Sequence, residues 1–288
     1  LPSEAAGALP PALYVTSTPI GNLGDVTRRA VEVLGAADVV LAEDTRRTGM
    51  LLKHLGLTSR LVSAHEHNEA ARAGLVVEML REGKAVALVT DAGTPLLSDP
   101  GARIVREVAE AGFAVVPVPG ASALLAALVA SGIAAERFTF YGFPPRKGAE
   151  RAALLEEIAA LPHAAVLYES PHRVGKLLAD LAGAAGPSRR VAVARELTKL
   201  HEEVFRGTLA EAAERFSGEV LGEIAVVVEG RPVDAEAEAE TDELAARSMA
   251  RALVEQGMSP SAAAKELRRR LGVARNEAYR LVQEVAGE

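Results

Sequence analysis

Apolar residues along this chain fall into two alternating registers. Short runs at residues 13–17, 38–42, 60–63, 85–90 and 114–118 read as buried strands. The stretches between them, 26–34, 46–54, 68–81 and 102–111, carry the spacing of amphipathic helices. Such alternation predicts a mostly parallel sheet with helices on both faces, ending near Pro119. A second unit follows, with helices over 122–130, 149–160 and 171–182 and strands over 138–141 and 164–169. Strands over 190–195, 203–207 and 223–229 complete it, close enough in sequence to pair partly antiparallel.

Residues 231–240 alternate Ala and Glu after Arg231-Pro232-Val233-Asp234 and read as an acidic linker. Beyond them the pattern is helical throughout, over 242–256, 261–271 and 275–285. Gly257-Met258-Ser259-Pro260 and Gly272 break it. Helix, short glycine turn, helix is the helix-turn-helix pattern, and a plain docking or dimerisation element fits it equally. The expected organisation is therefore a disordered lead-in (1–12), an N-terminal α/β domain (13–118), a C-terminal α/β domain (119–230), the linker (231–240) and a helical appendage (241–288).

Composition narrows this picture. Aromatic residues are only 3% while apolar residues are 49%, so the core must be built from Ala, Val and Leu. With no cysteine, disulfides and thiolate metal sites are excluded, no metal is expected, and a reducing cytoplasm suits the chain. No apolar run reaches the roughly 18 residues of a membrane span. The formal charge of −7 argues against a bulk nucleic-acid coat. Of the 32 basic residues 26 are Arg, the type suited to bidentate phosphate recognition, although a GC-rich or heat-adapted composition has the same effect.

The chemistry concentrates in loops at strand ends. After the run to Val89 comes Asp91-Ala92-Gly93-Thr94-Pro95, and Asp99-Pro100 then reads as the N-cap and first residue of the next helix. Thr16 to Asp25 and Val118 to Ala123 repeat that grammar. Open α/β sheets bind ligands beyond such strand ends. Glu43 and Asp44, about twenty residues past Gly21, mimic the ribose-binding acid of a dinucleotide fold. The glycines, however, read G-x-x-G behind Pro19, and Asp25 would repel a pyrophosphate. S-adenosyl-L-methionine fits better: its sulfonium is positive, it lacks phosphate, and it needs the carbonyls and hydroxyls these loops offer.

Five motifs occur in register: Ser17-Thr18-Pro19-Ile20-Gly21-Asn22-Leu23-Gly24-Asp25, Ala42-Glu43-Asp44-Thr45-Arg46, Asp91-Ala92-Gly93-Thr94-Pro95, Pro119-Gly120-Ala121-Ser122-Ala123 and Glu169-Ser170-Pro171-His172-Arg173. In this order the chain resembles the ribosomal RNA small subunit methyltransferase I family, within the tetrapyrrole methylase-like superfamily. The resemblance covers roughly residues 13–230 and extends into the terminal helices. It implies two α/β domains with S-adenosyl-L-methionine in the cleft between them, a homodimer, and methylation of a cytidine ribose 2′-hydroxyl in the decoding region of 16S rRNA. The cofactor residues it implies are Asp91, Gly93, Thr94, Leu96, Ser122, Ala123, Tyr168, Leu197 and Ile224. The superfamily's glycine-rich first loop is here the Pro-containing stretch 18–25, so Gly21 and Gly24 are not assigned to the cofactor.

Methyl transfer to a ribose hydroxyl relies on alignment and on a group that takes or polarises the proton. Lys199 and Glu43 are the expected base or base-activator. Arg46, Arg47, Arg146, Lys147 and Arg173 are the expected RNA contacts. Bland readings stand beside these: Glu169 and Arg173 have i,i+4 ion-pair spacing, Phe143 to Lys147 reads as a rigid RNA-facing loop or equally as a surface connector, and His65-Glu66-His67 suits a solvated loop better than a metal. Arg268-Arg269-Arg270 beside Lys265 forms a phosphate-binding face or merely a solvated one. The rival functions are a tetrapyrrole (precorrin) methyltransferase on the same scaffold and a non-catalytic ribosome-binding factor.

Overall fold

The computed structural model describes residues 8–65, 68–232, 235–271, 273 and 275–286. Two compact units divide the chain between Arg231 and Pro232. The first holds two five-stranded sheets, and the second is helical.

The first sheet comprises β1 (Leu13–Thr16), β2 (Val39–Ala42), β3 (Leu61–Ser63), β4 (Val86–Val89) and β5 (Val115–Val118). Between them run α1 (Arg28–Ala36), α2 (Thr45–His54), α3 (Glu69–Arg81) and α4 (Ala102–Glu110). The strand order is β3-β2-β4-β1-β5, and every pairing is parallel. Side chains alternate across it, as the pleat requires. Leu13, Leu41 and Leu88 pack on Val76, Leu80 and Ile104 of α3 and α4, while Tyr14, Val40 and Ala87 pack on Val33 and Leu34 of α1 and Leu52 of α2. Burial on both faces is why these strands read as unbroken apolar runs.

Because β4 lies between β2 and β1, the chain leaves β1 in one direction and β4 in the other. Their carboxyl ends therefore open a crevice.

The second sheet follows α5 (Ala123–Ser131). It contains β6 (Phe138–Gly142), β7 (Ala164–Glu169), β8 (Arg190–Arg195), β9 (Glu203–Thr208) and β10 (Ile224–Val228), with α6 (Ala149–Ala160), α7 (Val174–Ala185) and α8 (Leu209–Arg215). The order is β6-β7-β10-β8-β9, and only β6 and β7 run parallel. Leu167, Val193 and Val226 face α6 to α8, whereas the small Ala164, Ala192, Ala194 and Ala225 let α5 approach the other face. Leu125 and Val129 of α5 point outward and are exposed.

Several boundaries differ from the sequence reading for local reasons. Helix α1 starts at Arg28 because the Thr27 hydroxyl accepts the Ala30 amide (3.1 Å) and caps it. Helix α8 was not expected, yet Thr208 and Glu211 form a reciprocal capping box there. Asp99-Pro100 does not start α4. Its N-cap is Gly101, at φ 125°, and the first amides are capped from α3 by Glu69, which accepts from Arg103 N (2.6 Å) and Ile104 N (3.3 Å). Asp99 is thereby released for another role.

Of the expected lead-in, residues 1–7 lie outside the described residues; after them Leu9 packs on the α1 core, and the Tyr14 hydroxyl donates to the Pro10 carbonyl (3.0 Å). Of the expected linker, Val233 and Asp234 lie outside the described residues. From Ala235 the alternating Ala and Glu, both strong helix formers, belong to α9 (Ala235–Glu255). With α10 (Pro260–Leu271) and α11 (Arg275–Ala286), α9 encloses a core of Ala250, Leu253, Ala263, Leu267, Ala278 and Leu281. Gly272, expected to end the second helix, lies outside the described residues. Among the described residues no helix is long and apolar enough to cross a membrane.

Candidate functional site

Three loops at the carboxyl ends of the first sheet are stitched together. Thr18 and Gly93 exchange both backbone hydrogen bonds (2.9 and 3.1 Å), joining the loop after β1 to the loop after β4. The Thr94 hydroxyl lies 3.1 Å from the Ser17 hydroxyl and donates to the Ala121 carbonyl (3.1 Å), drawing in the loop after β5. Gly93 adopts φ 87°, which favours glycine at the crossing.

Above these loops lies a cavity of about 320 Å³, within the usual range for a small-molecule site. The first sheet contributes Glu43, Asp91, Gly93, Thr94, Leu97 and Asp99; Ser122 and Ala123 start α5; Tyr168, Leu197 and Ile224 close it from the second sheet. One wall is thus polar and acidic, and the other is apolar with an aromatic ring. Arg47, Ser98, Phe143 and Glu223 are the exposed members of the lining and form the rim.

The backbone is strained on both sides of this cleft. Leu96, Ser98, Glu196 and Thr198 are the non-glycine residues with positive φ among the described residues (74°, 70°, 52° and 65°), and all belong to two cleft loops. Strain gathered in this way marks functional loops.

The acidic wall has a definite electrostatic order. The buried Thr90 hydroxyl donates to Glu43 Oε2 (2.7 Å) and also bonds the Asp99 carboxyl. Burial pushes Asp99 up to about 6; the Thr90 bond opposes this, and the charges of Glu43 and Asp91 add to it. Asp91 is raised too, chiefly by burial and by the Glu43 charge, although its Oδ1 accepts the Asp44 amide (3.0 Å) and its Oδ2 faces Arg47 (3.5 Å). Burial likewise raises the Tyr168 phenol.

Most residues expected at the cofactor meet here: Asp91, Gly93, Thr94, Ser122, Ala123, Tyr168, Leu197 and Ile224 all line the cleft, as does Glu43. Leu96 does not. Its left-handed backbone turns the side chain toward Gly101, and Leu97 lines the cleft instead. Lys199 is outside the lining, its ammonium held by Glu196 (2.8 Å) and Glu223 (3.0 Å). Burial pulls its pKa down, but those two carboxylates outweigh burial and raise it. Gly21 packs on the same loop: a Cβ there would fall 2.3 Å from Lys199 Cγ.

Among the expected RNA contacts, Arg46 is engaged by Asp44, whose carboxyl is held down to about 2 mainly by the Arg46 hydrogen bonds. Arg173 pairs with the buried Glu169 in the i,i+4 arrangement. Arg146 and Lys147 are exposed and make no ion pair among the described residues. His65 Nε2 shares a hydrogen bond with the Asn68 amide (3.2 Å), while Glu66 and His67 lie outside the described residues. Sequence reasoning missed Asp99, read as a helix cap, whereas Phe143, expected in an RNA-facing loop or a surface connector, stands at the rim of the cleft.

An open parallel sheet joined to a mixed sheet across an acidic-to-apolar cleft defines a class. The family model of the tetrapyrrole (corrin/porphyrin) methylases matches residues 12–213, and the chain belongs to that family. Within it, the chain is 42% identical over 277 residues to the ribosomal RNA small subunit methyltransferase I of Synechocystis sp., covering 96% of this chain and 99% of that one. The protein of the same name from Micromonospora olivasterospora is 44% identical, covering 94% and 86%. The crystal structure of uroporphyrin-III C-methyltransferase from Thermus thermophilus, complexed with S-adenyl homocysteine, shares the fold at a TM-score of 0.54 and 20% identity, covering 75% of this chain and 96% of that one.

Proposed function

We propose that this chain is an S-adenosyl-L-methionine-dependent methyltransferase acting on small-subunit ribosomal RNA, with the ribose 2′-hydroxyl of a cytidine in the 16S decoding region as its target. The observation that carries this reading is identity above 40% across nearly the whole length of proteins named as small-subunit ribosomal RNA methyltransferases; the cytidine ribose target is what the family resemblance implies. The tetrapyrrole methyltransferase structure matches at 20% and over three quarters of the chain, which supports the fold alone.

The cleft suits this cofactor. When bound, S-adenosyl-L-methionine supplies an electrophilic methyl group on a cationic sulfur. Glu43, Asp91 and Asp99 make the wall anionic, which favours a cation and would oppose a phosphate-bearing dinucleotide. Thr94, Ser122 and the backbone of the stitched loops offer hydroxyls and carbonyls for a ribose and an amino-acid end. Tyr168, Leu197 and Ile224 supply an apolar slot for an adenine.

Asp99 is the group best arranged to take the proton of the ribose hydroxyl. It lines the cleft, burial raises its carboxyl to about 6, and Thr90 links it to Glu43, which supports it from behind. Lys199, already protonated between two carboxylates, organises the loop that carries Leu197 instead of acting as the base. The reading includes a homodimer, supported by the outward apolar Leu125 and Val129 of α5, and a cytoplasmic setting.

Radiolabelled methyl incorporation into small ribosomal subunits, with ribose methylation mapped in cells with and without the gene, tests this. Incorporation is expected at one cytidine of the small-subunit RNA; methylation of a tetrapyrrole and not RNA would replace the reading. Asp91→Ala is expected to weaken donor binding about tenfold to a hundredfold in calorimetry, as loss of a charged partner does. Donor affinity should also fall on acidification, since a raised Asp91 loses its charge earlier than an ordinary carboxylate.

A further inference from the structure

The rim of the cleft carries one large apolar group, and the acidic wall does not account for it. Phe143 is 55% exposed although it follows directly on a strand, and hydrophobic burial alone would turn such a ring inward. Its centroid is 5.7 Å from that of Tyr168 at an interplanar angle of 58°, so it stands on the aromatic floor of the cleft while much of the ring stays open.

The segment holding it is fixed at both ends. Gly142 adopts φ 62° and approaches the opposite loop so closely that a Cβ would fall 2.7 Å from Ser98 Oγ. Pro144 and Pro145 follow, and the Pro145 carbonyl accepts from Arg151 (3.0 Å), a buried side chain tied to Asp180 (2.9 Å). Next come Arg146 and Lys147, exposed and without ion partners among the described residues. A rigid exposed ring at a cleft mouth, followed by two unpaired cations, has the make-up of a platform for single-stranded nucleic acid.

Resting on the RNA reading above, we infer that Phe143 is a substrate-positioning residue on whose open face the base of the target nucleotide stacks, while Arg146 and Lys147 hold the adjacent phosphates. The nucleotide must leave its own stack for its ribose to reach the cleft, and the ring replaces part of the lost stacking. A residue with this role binds RNA and leaves the methyl donor unaffected.

The test measures methyl transfer to small ribosomal subunits by Phe143→Leu, Phe143→Ala and Phe143→Trp, with donor affinity by calorimetry. Leucine keeps the apolar bulk without the π-face. Leucine and alanine are expected to raise KM for RNA about tenfold to a hundredfold with donor Kd unchanged. Tryptophan, the chain's only one, should keep KM near the wild-type value. Its fluorescence should be quenched when an RNA fragment bearing the target cytidine is added to protein already holding S-adenosylhomocysteine. Wild-type KM in Phe143→Leu overturns the inference. So does a donor Kd that weakens in step with KM, or quenching by S-adenosylhomocysteine alone, since the ring then serves the cofactor. Failure of the wild type to methylate RNA at all removes the parent reading instead, and this inference with it.

Discussion

Asp99→Asn is expected to lower kcat for methyl transfer by about a hundredfold to ten-thousandfold, the usual weight of a positioned proton acceptor. The amide keeps the shape and can still bond Thr90, but it cannot take a proton. Wild-type activity should rise with pH through about 6, where Asp99 becomes ionised, and this acid limb should vanish in the variant. Stability moves the opposite way. The native carboxyl holds its proton up to about pH 6, whereas an unfolded Asp releases it near about 3.9. Between those values the folded state binds more protons, so stability falls as pH rises through the window. Above it Asp99 weakens the fold, and Asp99→Asn should melt at a higher temperature than wild type at pH 8 but not at pH 4. Unchanged kcat together with an unchanged pH profile would move the base elsewhere. An inactive variant with lowered melting temperature would mark Asp99 as structural.

Arg173→Ala is expected to destabilise the protein by about 3 kcal/mol in urea denaturation. The Glu169 side chain is fully buried, at 0% exposure, and its Oε1 accepts from the Ser170 amide (2.7 Å) and from Arg173. Its Oε2 is buried without a hydrogen-bond partner, so Arg173 is the cation that makes the charge tolerable. Removing the arginine leaves an uncompensated carboxylate; removing both groups in Arg173→Ala/Glu169→Leu should restore most of the loss. The arginine is 29% exposed, which holds the effect at the lower end of the range for buried pairs. A stable Arg173→Ala with a raised KM for RNA would return this residue to the RNA surface.

The strands and the ligand crevice were legible because parallel strands buried on both faces leave long apolar runs that break into polar loops. The cofactor set was legible only through the resemblance, since no spacing ties Tyr168 or Ile224 to a loop near residue 91. The errors were tertiary. Asp99-Pro100 is a sound local helix start, but Glu69, far away in sequence, already satisfies those amides. Leu96 and Leu97 are indistinguishable by composition, and only the positive φ at 96 decides which side chain enters the cleft. Lys199 looked like a base until the fold set Glu196 and Glu223 around it. Phe143 could be located by sequence as part of a stiff loop; its exposure could not.

The two-way backbone link between Thr18 and Gly93 has a consequence for affinity. Half of the mould is cast before any guest arrives, so entry costs little chain entropy on that side, and complementarity of shape and charge sets the grip. Discrimination between related guests then falls to the opposite half, where Leu197 rides on a loop that Lys199 pins through Glu196 and Glu223.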